Sequence, residues 1–302
     1  MTQKLRFGVG PLPNLSWKEL VKCFRHIEEL GFDSALIGDH FVNMGNPQDP
    51  WFESWTLLAA LAVNTTHIRI GIGISPITWR NPAFLARQAL TVDHISNGRL
   101  ELGLGTGLTK DPSHEMAGIP NWSPEERIAR FREYIEVVDQ LLRNEVTTYE
   151  GHFYQLKEAI MRPRPIQKPR PPITIAGYRQ TMLKYAAHYA DTWSLAGPNR
   201  DTFAIETHKR NKLLNKYCKE ISRNPNTLRR SFLEWETEVS WQGGLMSIFK
   251  SEDNFREMVK RFVAVGITEF IFLYPYHKEQ LPMFEKIAIE VIPELKDQYN
   301  HS

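Results

Sequence analysis

The chain has 302 residues, of which 42% are hydrophobic, and its 37 basic and 35 acidic side chains leave a net charge of +2. These charges are interspersed and no apolar run approaches the roughly 18 residues that span a bilayer, so we expect a cytoplasmic protein with no nucleic-acid and no membrane partner. The length fits two ordinary domains or one α/β barrel of roughly 250 residues with insertions.

Predicted strands and helices alternate along the chain. Short apolar runs without strict polar alternation are typical of strands that are covered on both faces of a parallel sheet. They predict eight strands, at 5–9, 34–37, 68–72, 100–104, 173–175, 192–195, 232–236 and 270–273. Helical patterns follow at 16–30, 53–64, 82–96, 124–142, 181–189, 202–221, 252–265 and 281–291. The first helix has a predicted capping box formed by Ser16 and Glu19, and Gly31 follows its C-terminus.

Eight strand-then-helix repeats indicate the architecture. Because no linker or composition shift divides the chain, they predict a single (β/α)8 TIM barrel domain over residues 1–302 rather than two open sheets. One insertion, 108–123, follows strand 4 and is a candidate lid. The other, 143–172, precedes strand 5; it predicts a hairpin that turns at Glu150 and Gly151, and then a stiff proline-rich connector.

Asp39 and His40 close the second predicted strand, at the barrel end where ligands bind. A histidine there can exchange a proton near neutral pH, and a nearby carboxylate can fix its tautomer and raise its pKa. A structural pair that caps the loop is the alternative, which the local sequence leaves open.

Two glycine segments also follow strand ends. GLGTG at 103–107 superficially matches a dinucleotide motif, but about 17 residues separate it from the next helix, too many to place a helix N-terminus on a pyrophosphate. Its glycines serve either tight packing or close approach of the backbone to a flat ligand. Ala176, Gly177 and Tyr178 pass almost directly from a strand into a helix, whose free N–H groups form a candidate anion site; a plain βα turn is the alternative.

Other chemistry-bearing residues give weaker signals. Six aromatic residues fall in loops that could face the same pocket, where they would enclose a planar ligand or simply pack: Phe41, Trp51, Phe52, Trp79, Tyr178 and Trp241. The histidines form no HExxH or HxxEH array, Cys23 and Cys218 stand alone, and GxSxG is absent. We therefore expect no metal site, no disulfide framework and no serine hydrolase.

Several longer segments match a known family. They are GFDSALIGDHF, DPWFES, IRIGIGI, RNPAFLARQALTVDHISNGRLELGLGTG, PRPIQKPRPPITIAG and LKYAAHYADTW. On these segments the sequence resembles the bacterial luciferase-like flavin- and deazaflavin-dependent oxidoreductases, from the first strand to about residue 196 and more weakly beyond. The resemblance implies a TIM barrel, a small-molecule substrate and a homodimer. Apolar positions on the second and third helices offer an interface or cover the barrel: Leu57, Leu58, Leu61, Phe84 and Leu85.

The resemblance also implies the functional residues. Asp39 and His40 would lie beside the reactive ring of the cofactor, with His40 as the proton donor or acceptor. The Gly73-Ile74 bond matches the position of a non-proline cis peptide that forms a bulge behind that ring. The implied cofactor contacts are Asp39, the bulge residues Gly73, Ile74 and Ser75, the ring-lining residues Thr106 and Gly107, and the phosphate cradle of Ala176, Gly177 and Tyr178.

The identity of the cofactor rests on finer features. The sequence DHF at 39–41 together with RNPAFLA resembles the branch that uses the deazaflavin coenzyme F420, which implies hydride transfer at deazaflavin C5 with His40 handling the proton. FMN is the alternative, with oxygen activation and monooxygenation, and a non-catalytic flavoprotein is a second alternative. Family members that oxidise a sugar phosphate carry an acidic residue and a Trp where this chain has Leu108 and Met44. These replacements favour a less polar substrate: an alcohol, a carbonyl or an unsaturated compound.

Overall fold

The computed structural model of the protein describes residues 3–234 and 245–300. Its strands are β1 (Arg6–Gly10), β2 (Ser34–Ile37), β3 (Arg69–Pro76), β4 (Leu100–Gly105), β5 (Val146–Glu150), β6 (Gln155–Ile160), β7 (Ile173–Ala176), β8 (Thr192–Gly197), β9 (Arg229–Glu234) and β10 (Glu269–Leu273). Its helices are α1 (Trp17–Glu29), α2 (Ser54–Ala62), α3 (Pro82–Ile95), α4 (Ser113–Met116), α5 (Pro124–Arg143), α6 (Gln180–Tyr189), α7 (Asp201–Glu220), α8 (Glu252–Val263), α9 (Leu281–Lys286) and α10 (Ile292–Asn300), with a π-helical turn, Ile287–Val291, between the last two.

Eight strands close into a parallel barrel in the order β1-β10-β9-β8-β7-β4-β3-β2. The predicted (β/α)8 barrel is therefore confirmed, with insertions after β4 and before β7, the fifth strand of the barrel. Strand β9 begins at Arg229 rather than at the predicted residue 232, because two arginines at its start hide it from a search for apolar runs. Residues 235 and 236 of that predicted strand lie outside the described residues.

Helix α1 shows how the helices attach to the barrel. The hydroxyl of Ser16 accepts from the backbone N–H of Glu19, whose carboxylate accepts in return, so the predicted capping box is present. The apolar face of the helix contains Leu20, Phe24 and Ile27, which are completely buried. Full burial of one such side chain stabilises the fold by about 1.5–3 kcal/mol.

Small residues alternate with large ones along β1. Phe7 packs outward, and its ring centroid lies 6.1 Å from that of Phe255 on α8. Its neighbour Gly8 faces inward, where an added Cβ would overlap the hydroxyl of Ser34. Along β1, Phe7 thus fills space between the barrel and the helices, whereas Gly8 leaves room in the interior for side chains of the neighbouring strands.

The longer insertion forms the predicted hairpin, in which β5 and β6 pair antiparallel up to Glu150 and Gln155. The carboxylate of Glu133 on α5 accepts hydrogen bonds from the backbone N–H groups of His152, Phe153 and Tyr154, at 2.7–3.2 Å. These bonds tie the hairpin turn to α5, in the helical layer around the barrel.

Most of the apolar positions on α2 and α3 that could form a dimer interface are buried within the chain. Leu57, Leu58, Leu61 and Leu85 are buried against the barrel, and Phe84 alone of these five positions is exposed, at 73%. Within residues 3–234 and 245–300, no helix combines the length and apolar character that a bilayer crossing requires.

Candidate active site

Asp39 follows the end of β2 and is almost fully buried, with 2% of its surface exposed. Its carboxylate accepts two hydrogen bonds from Arg80, at 2.5 and 3.1 Å. Arg80 also contacts Glu53, the residue that caps the N-terminus of α2. Burial raises the pKa of Asp39, and the guanidinium of Arg80 opposes that rise. A fixed, charge-compensated carboxylate thus lies under the mouth of the barrel.

Ser75, near the end of β3, holds Asp39 from the other side. Its hydroxyl donates to the Asp39 carboxylate at 2.8 Å and accepts from the indole N–H of Trp55 at 2.9 Å. The single O–H donor of Ser75 is therefore used within the protein.

His40 is held by a carboxylate that lies 71 positions away in sequence. Nδ1 of His40 lies 2.7 Å from Oδ2 of Asp111, in the loop after β4. Burial opposes ionisation of Asp111, but the hydrogen bonds from His40 and Ser113 outweigh it and keep the pKa of Asp111 below its usual value. Because a carboxylate only accepts, Nδ1 of His40 carries the donated proton, and Nε2 is the ring nitrogen that would exchange a proton with a ligand.

Two tryptophans fix the backbone of the Asp39-His40 segment. The indole N–H of Trp79 donates to the carbonyl of Asp39 at 2.9 Å, and that of Trp51 donates to the carbonyl of His40 at 2.9 Å. The other loop aromatics expected at the mouth are partly exposed: Phe41, Phe52 and Tyr178. Trp241 lies outside the described residues.

The segment Gly73-Ile74 interrupts β3 as the resemblance implies. Its peptide bond is cis, and the register between β3 and β4 shifts between Ile72 and Ser75. The side chain of Ile74 lies over the glycine motif, so that an added Cβ on Gly103 would come within 2.7 Å of it and one on Gly105 would overlap it. These two glycines thus serve close packing, the first of the two roles considered for the motif.

Thr106 and Gly107 continue that motif into the lid. Gly107 adopts a φ of +77°, and an added Cβ would lie 2.9 Å from Nη1 of Arg127. The same Nη1 donates to the carbonyl of Thr106 at 2.9 Å. Arg127 also donates to the carbonyl of Trp122 at 2.9 Å and to Asn121 at 2.6 Å. This buried arginine of α5 therefore joins the lid to the end of β4.

His114 is a second histidine at the mouth, on the short helix α4 of the lid. Its Nε2 lies 2.9 Å from Nη2 of Arg127, and its ring lies 4.8 Å from the ring of Trp79. Burial, assisted by the charge of Arg127, lowers the pKa of His114. The neutral form is therefore favoured. Because a guanidinium only donates, Nε2 accepts from Arg127 in the tautomer that carries its N–H at Nδ1; the carbonyl of Leu108 also lies 3.2 Å from Nε2.

The expected phosphate cradle lies where β7 ends at Ala176. Gly177 turns the chain, its carbonyl accepts from the indole of Trp193 at 2.9 Å, and α6 begins three residues later. The hydroxyl of Tyr178 donates to the carbonyl of Ala196 on β8. The N-cap residue of α6, Arg179, makes no side-chain cap bond, so no such bond occupies the N–H groups of the first turn. An anion would be stabilised there by these donors and by the helix dipole.

The structure brings the predicted site residues to one end of the barrel, because β2, β3, β4 and β7 run parallel. Sequence reasoning did not find the residues that support them: Arg80, Asp111, His114 and Arg127. Arg80 lies in the segment RNPAFLA and Asp111 lies in the candidate lid, so both were visible as parts of larger motifs. Their partners depend on contacts between distant segments. No group of three or more His, Cys, Asp or Glu side chains suited to a metal ion occurs within the described ranges.

Curated proteins are similar to part of this chain. The chain is 33% identical over 179 residues to an F420-dependent glucose-6-phosphate dehydrogenase of Amycolatopsis mediterranei (strain U-32), covering 58% of this chain and 52% of that protein. It is 32% identical over 171 residues to a pyrimidine monooxygenase of Bradyrhizobium sp. (strain BTAi1), covering 54% of this chain and 46% of that protein. The chain spans about half the length of the curated relatives it matches.

The comparisons also extend to the whole fold. An F420-dependent tetrahydromethanopterin reductase of Methanopyrus kandleri superposes with a TM-score of 0.79 at 19% identity, over 97% of this chain and 99% of that one. This likeness shows a shared fold. The family model of the luciferase-like monooxygenases matches residues 3–227, which is most of the chain. The chain therefore belongs to the luciferase-like monooxygenase family.

Proposed function

We propose that the protein is an F420-dependent oxidoreductase that transfers a hydride to or from a small organic substrate. The observation that carries this proposal is the pair of His40 and Asp111, 2.7 Å apart beside the buried Asp39. The pair lies within residues 3–227, which match the luciferase-like monooxygenase family model, and an F420-dependent dehydrogenase is among the similar proteins. Bound coenzyme F420 would supply the hydride acceptor and donor at C5, and His40 would handle the accompanying proton.

The residues at the barrel mouth fit a flat, polar ligand that bears a phosphate. The turn of Ala176, Gly177 and Tyr178 and the start of α6 would hold the phosphate. Two buried polar atoms near the mouth, Oγ1 of Thr78 and Nδ1 of His114, have no hydrogen-bond partner among the described residues. A ligand with oxygen and nitrogen atoms along its edge would satisfy such groups.

Each residue of the mouth then has a separate task. Asp39 would lie beside the ring, and its hydrogen bonds with Arg80 would hold its carboxylate in place. Asp111 would keep Nδ1 of His40 protonated, so that Nε2 takes or gives the substrate proton. The lid, anchored by Arg127, would exclude water from the reacting atoms.

The substrate that we propose is less polar than a sugar phosphate. Leu108, at the start of the lid, is 54% exposed and stands where sugar-phosphate-oxidising relatives carry an acid. Met44 is half-buried and stands in the place of a tryptophan. An alcohol, a carbonyl or an unsaturated compound suits these side chains better than a sugar phosphate does.

An FMN-dependent monooxygenase is the second candidate function. The similarity to a pyrimidine monooxygenase favours it.

We propose a cytoplasmic homodimer built from one barrel domain over residues 1–302, with the exposed Phe84 as a candidate contact. Sedimentation of the purified protein tests the dimer.

Titration of the purified protein with F420 and with FMN tests the cofactor. We expect F420 to bind tightly and FMN weakly; the reverse result would overturn the hydride-transfer proposal and favour the monooxygenase. His40→Ala then separates an enzyme from a non-catalytic flavoprotein. The variant should lose about 10²-fold or more in turnover with little change in cofactor affinity, whereas a binder would change only in affinity.

A further inference from the structure

The barrel has a second cavity, of about 430 Å³, at the end opposite to the candidate active site. Its wall is built from strand starts, among them Arg6, Arg69, Thr192 and Arg229, and from Lys168 in the proline-rich connector. Small-molecule sites usually occupy about 300–1,000 Å³, so the size suits a ligand. The proposed function leaves this cavity without a role.

Two of its arginines are fully compensated by carboxylates. Arg6 contacts Glu101 at 2.7 Å and Glu269 at 3.1 Å, and Arg69 contacts Glu101 at 2.6 Å. Two cations therefore face two buried anions. This group closes the amino-terminal end of the barrel interior and adds no net charge.

Arg170, a third arginine of the wall, is compensated in the same way. It is buried between Asp139 at 2.6 Å and Asp191 at 2.5 Å. Its hydrogen bonds to the carbonyls of Pro171 and Tyr189 engage its remaining donors. Arg170 thus fixes the connector to the barrel and has little left to offer a ligand.

The remaining cations of the cavity wall are Arg229 and Lys168, which these carboxylates do not contact. Arg229 donates to the carbonyl of Lys4 at 3.2 Å, and neither it nor Lys168 forms an ion pair within the described parts of the chain. Burial lowers the pKa of Arg229, and the more distant charges of Glu269 and Glu101 only partly oppose this. These five cations and four carboxylates leave one positive charge in excess, and Arg229 and Lys168 are the two cations without a carboxylate partner among the described residues.

The wall also holds an unused donor. Thr192, at the start of β8, is 7% exposed and lines the cavity. Its hydroxyl forms no hydrogen bond with another described residue, so its O–H is available to an acceptor in the cavity.

We propose that this cavity binds an oxyanion, a phosphate or carboxylate group, between Arg229 and Lys168 with the hydroxyl of Thr192 as a further donor. The planar guanidinium of Arg229 can donate two parallel hydrogen bonds to such a group, and Lys168 adds a point charge. The site is separate from the cofactor site, because it lies at the other end of the barrel.

Calorimetric titration with inorganic phosphate and, separately, with succinate tests this inference. We expect saturable binding of at least one probe, and the tighter one identifies the anion class. Arg229→Gln and Lys168→Gln should each weaken that binding about tenfold. Thr192→Val keeps the size and all charges and should weaken it severalfold. Circular dichroism and thermal unfolding establish that each variant is folded.

Arg179→Gln is the matched control, because it removes one arginine from the carboxyl end of the barrel, beside the proposed phosphate cradle. We expect it to leave the affinity of the second cavity unchanged. Binding that is lost in Arg179→Gln but kept in Arg229→Gln would place the anion at the cofactor end and overturn the proposal. The absence of saturable binding of either probe up to about 10 mM would overturn it too.

Discussion

Asp111 accepts a hydrogen bond from Nδ1 of His40 at 2.7 Å, although the two residues belong to different β/α units. The contact fixes which nitrogen of His40 carries the proton. Because its carboxylate contacts the ring of His40, Asp111 acts through that residue, as a positioning residue.

Asp111→Asn should therefore lower turnover more than it lowers binding. We expect kcat to fall about ten- to a hundredfold, because an amide no longer enforces the Nδ1–H tautomer, while cofactor affinity changes little. Steady-state kinetics with separate kcat and KM values, together with cofactor titration, measures the effect. In a His40→Ala background the same change should cost almost nothing; an additive loss would show that Asp111 acts independently of His40.

The low pKa of Asp111 also predicts a pH dependence of stability. A carboxylate whose pKa is lower in the folded protein contributes stability above its unfolded value of about 3.9, and loses it as pH falls through the folded value. The difference in unfolding free energy between wild type and Asp111→Asn should thus be constant from pH 7 to about 5 and shrink below about 4. Urea unfolding measures it. Glu115→Gln, which removes an exposed carboxylate of the lid, serves as the control. If its stability difference from wild type shrank equally below pH 4, the effect could not be assigned to Asp111.

Arg80→Met should destabilise the protein strongly. It would leave the carboxylate of Asp39 buried without its cation, a change that costs about 3–5 kcal/mol at buried pairs. Asp39→Asn combined with Arg80→Met should recover part of that loss, because no charge then remains to be buried. Unfolding of both variants in urea decides the matter. If the single variant were as stable as wild type, the ion pair would not hold Asp39.

Gly103→Ala should disturb the region under Ile74. The added methyl would overlap the backbone carbonyl of Ile72, which cannot move without shifting β3, so we expect a loss of about 1–3 kcal/mol. Gly38→Ala is a matched control, since its Cβ would lie 3.6 Å from the nearest atom, in His40. Thermal unfolding of both variants tests the contrast, which equal effects would contradict.

The two cysteines should resist modification in the native protein. Burial raises the pKa of Cys23 to about 11, and it also raises the pKa of Cys218. Little thiolate forms at pH 8, and both side chains are buried. Labelling with a thiol-reactive chromophore should detect almost no thiol in the native state and two per chain in urea. Rapid labelling of the native protein would show that a cysteine opens to solvent.

Local sequence patterns were enough to establish the barrel. Each strand and helix is encoded by its own apolar period, and Ser16 and Glu19 mark a helix start from within four residues. Where predicted bounds were wrong, a charged pair such as Arg229 and Arg230 masked a strand that its neighbours complete. The sequence also placed Asp39 and His40 correctly at a strand end, because that placement depends only on the order of elements.

The partners of those residues were decided by tertiary structure alone. Asp111 meets His40 and Arg80 meets Asp39 because the closed barrel brings the ends of its parallel strands together, across 41 to 71 positions in sequence. The charge excess at the opposite end has the same origin, since the carboxylates that neutralise Arg6 and Arg69 come from strands β4 and β10. The apolar periodicity of the sequence indicates which residues are buried. Which charges meet depends on barrel closure, which a local pattern does not contain.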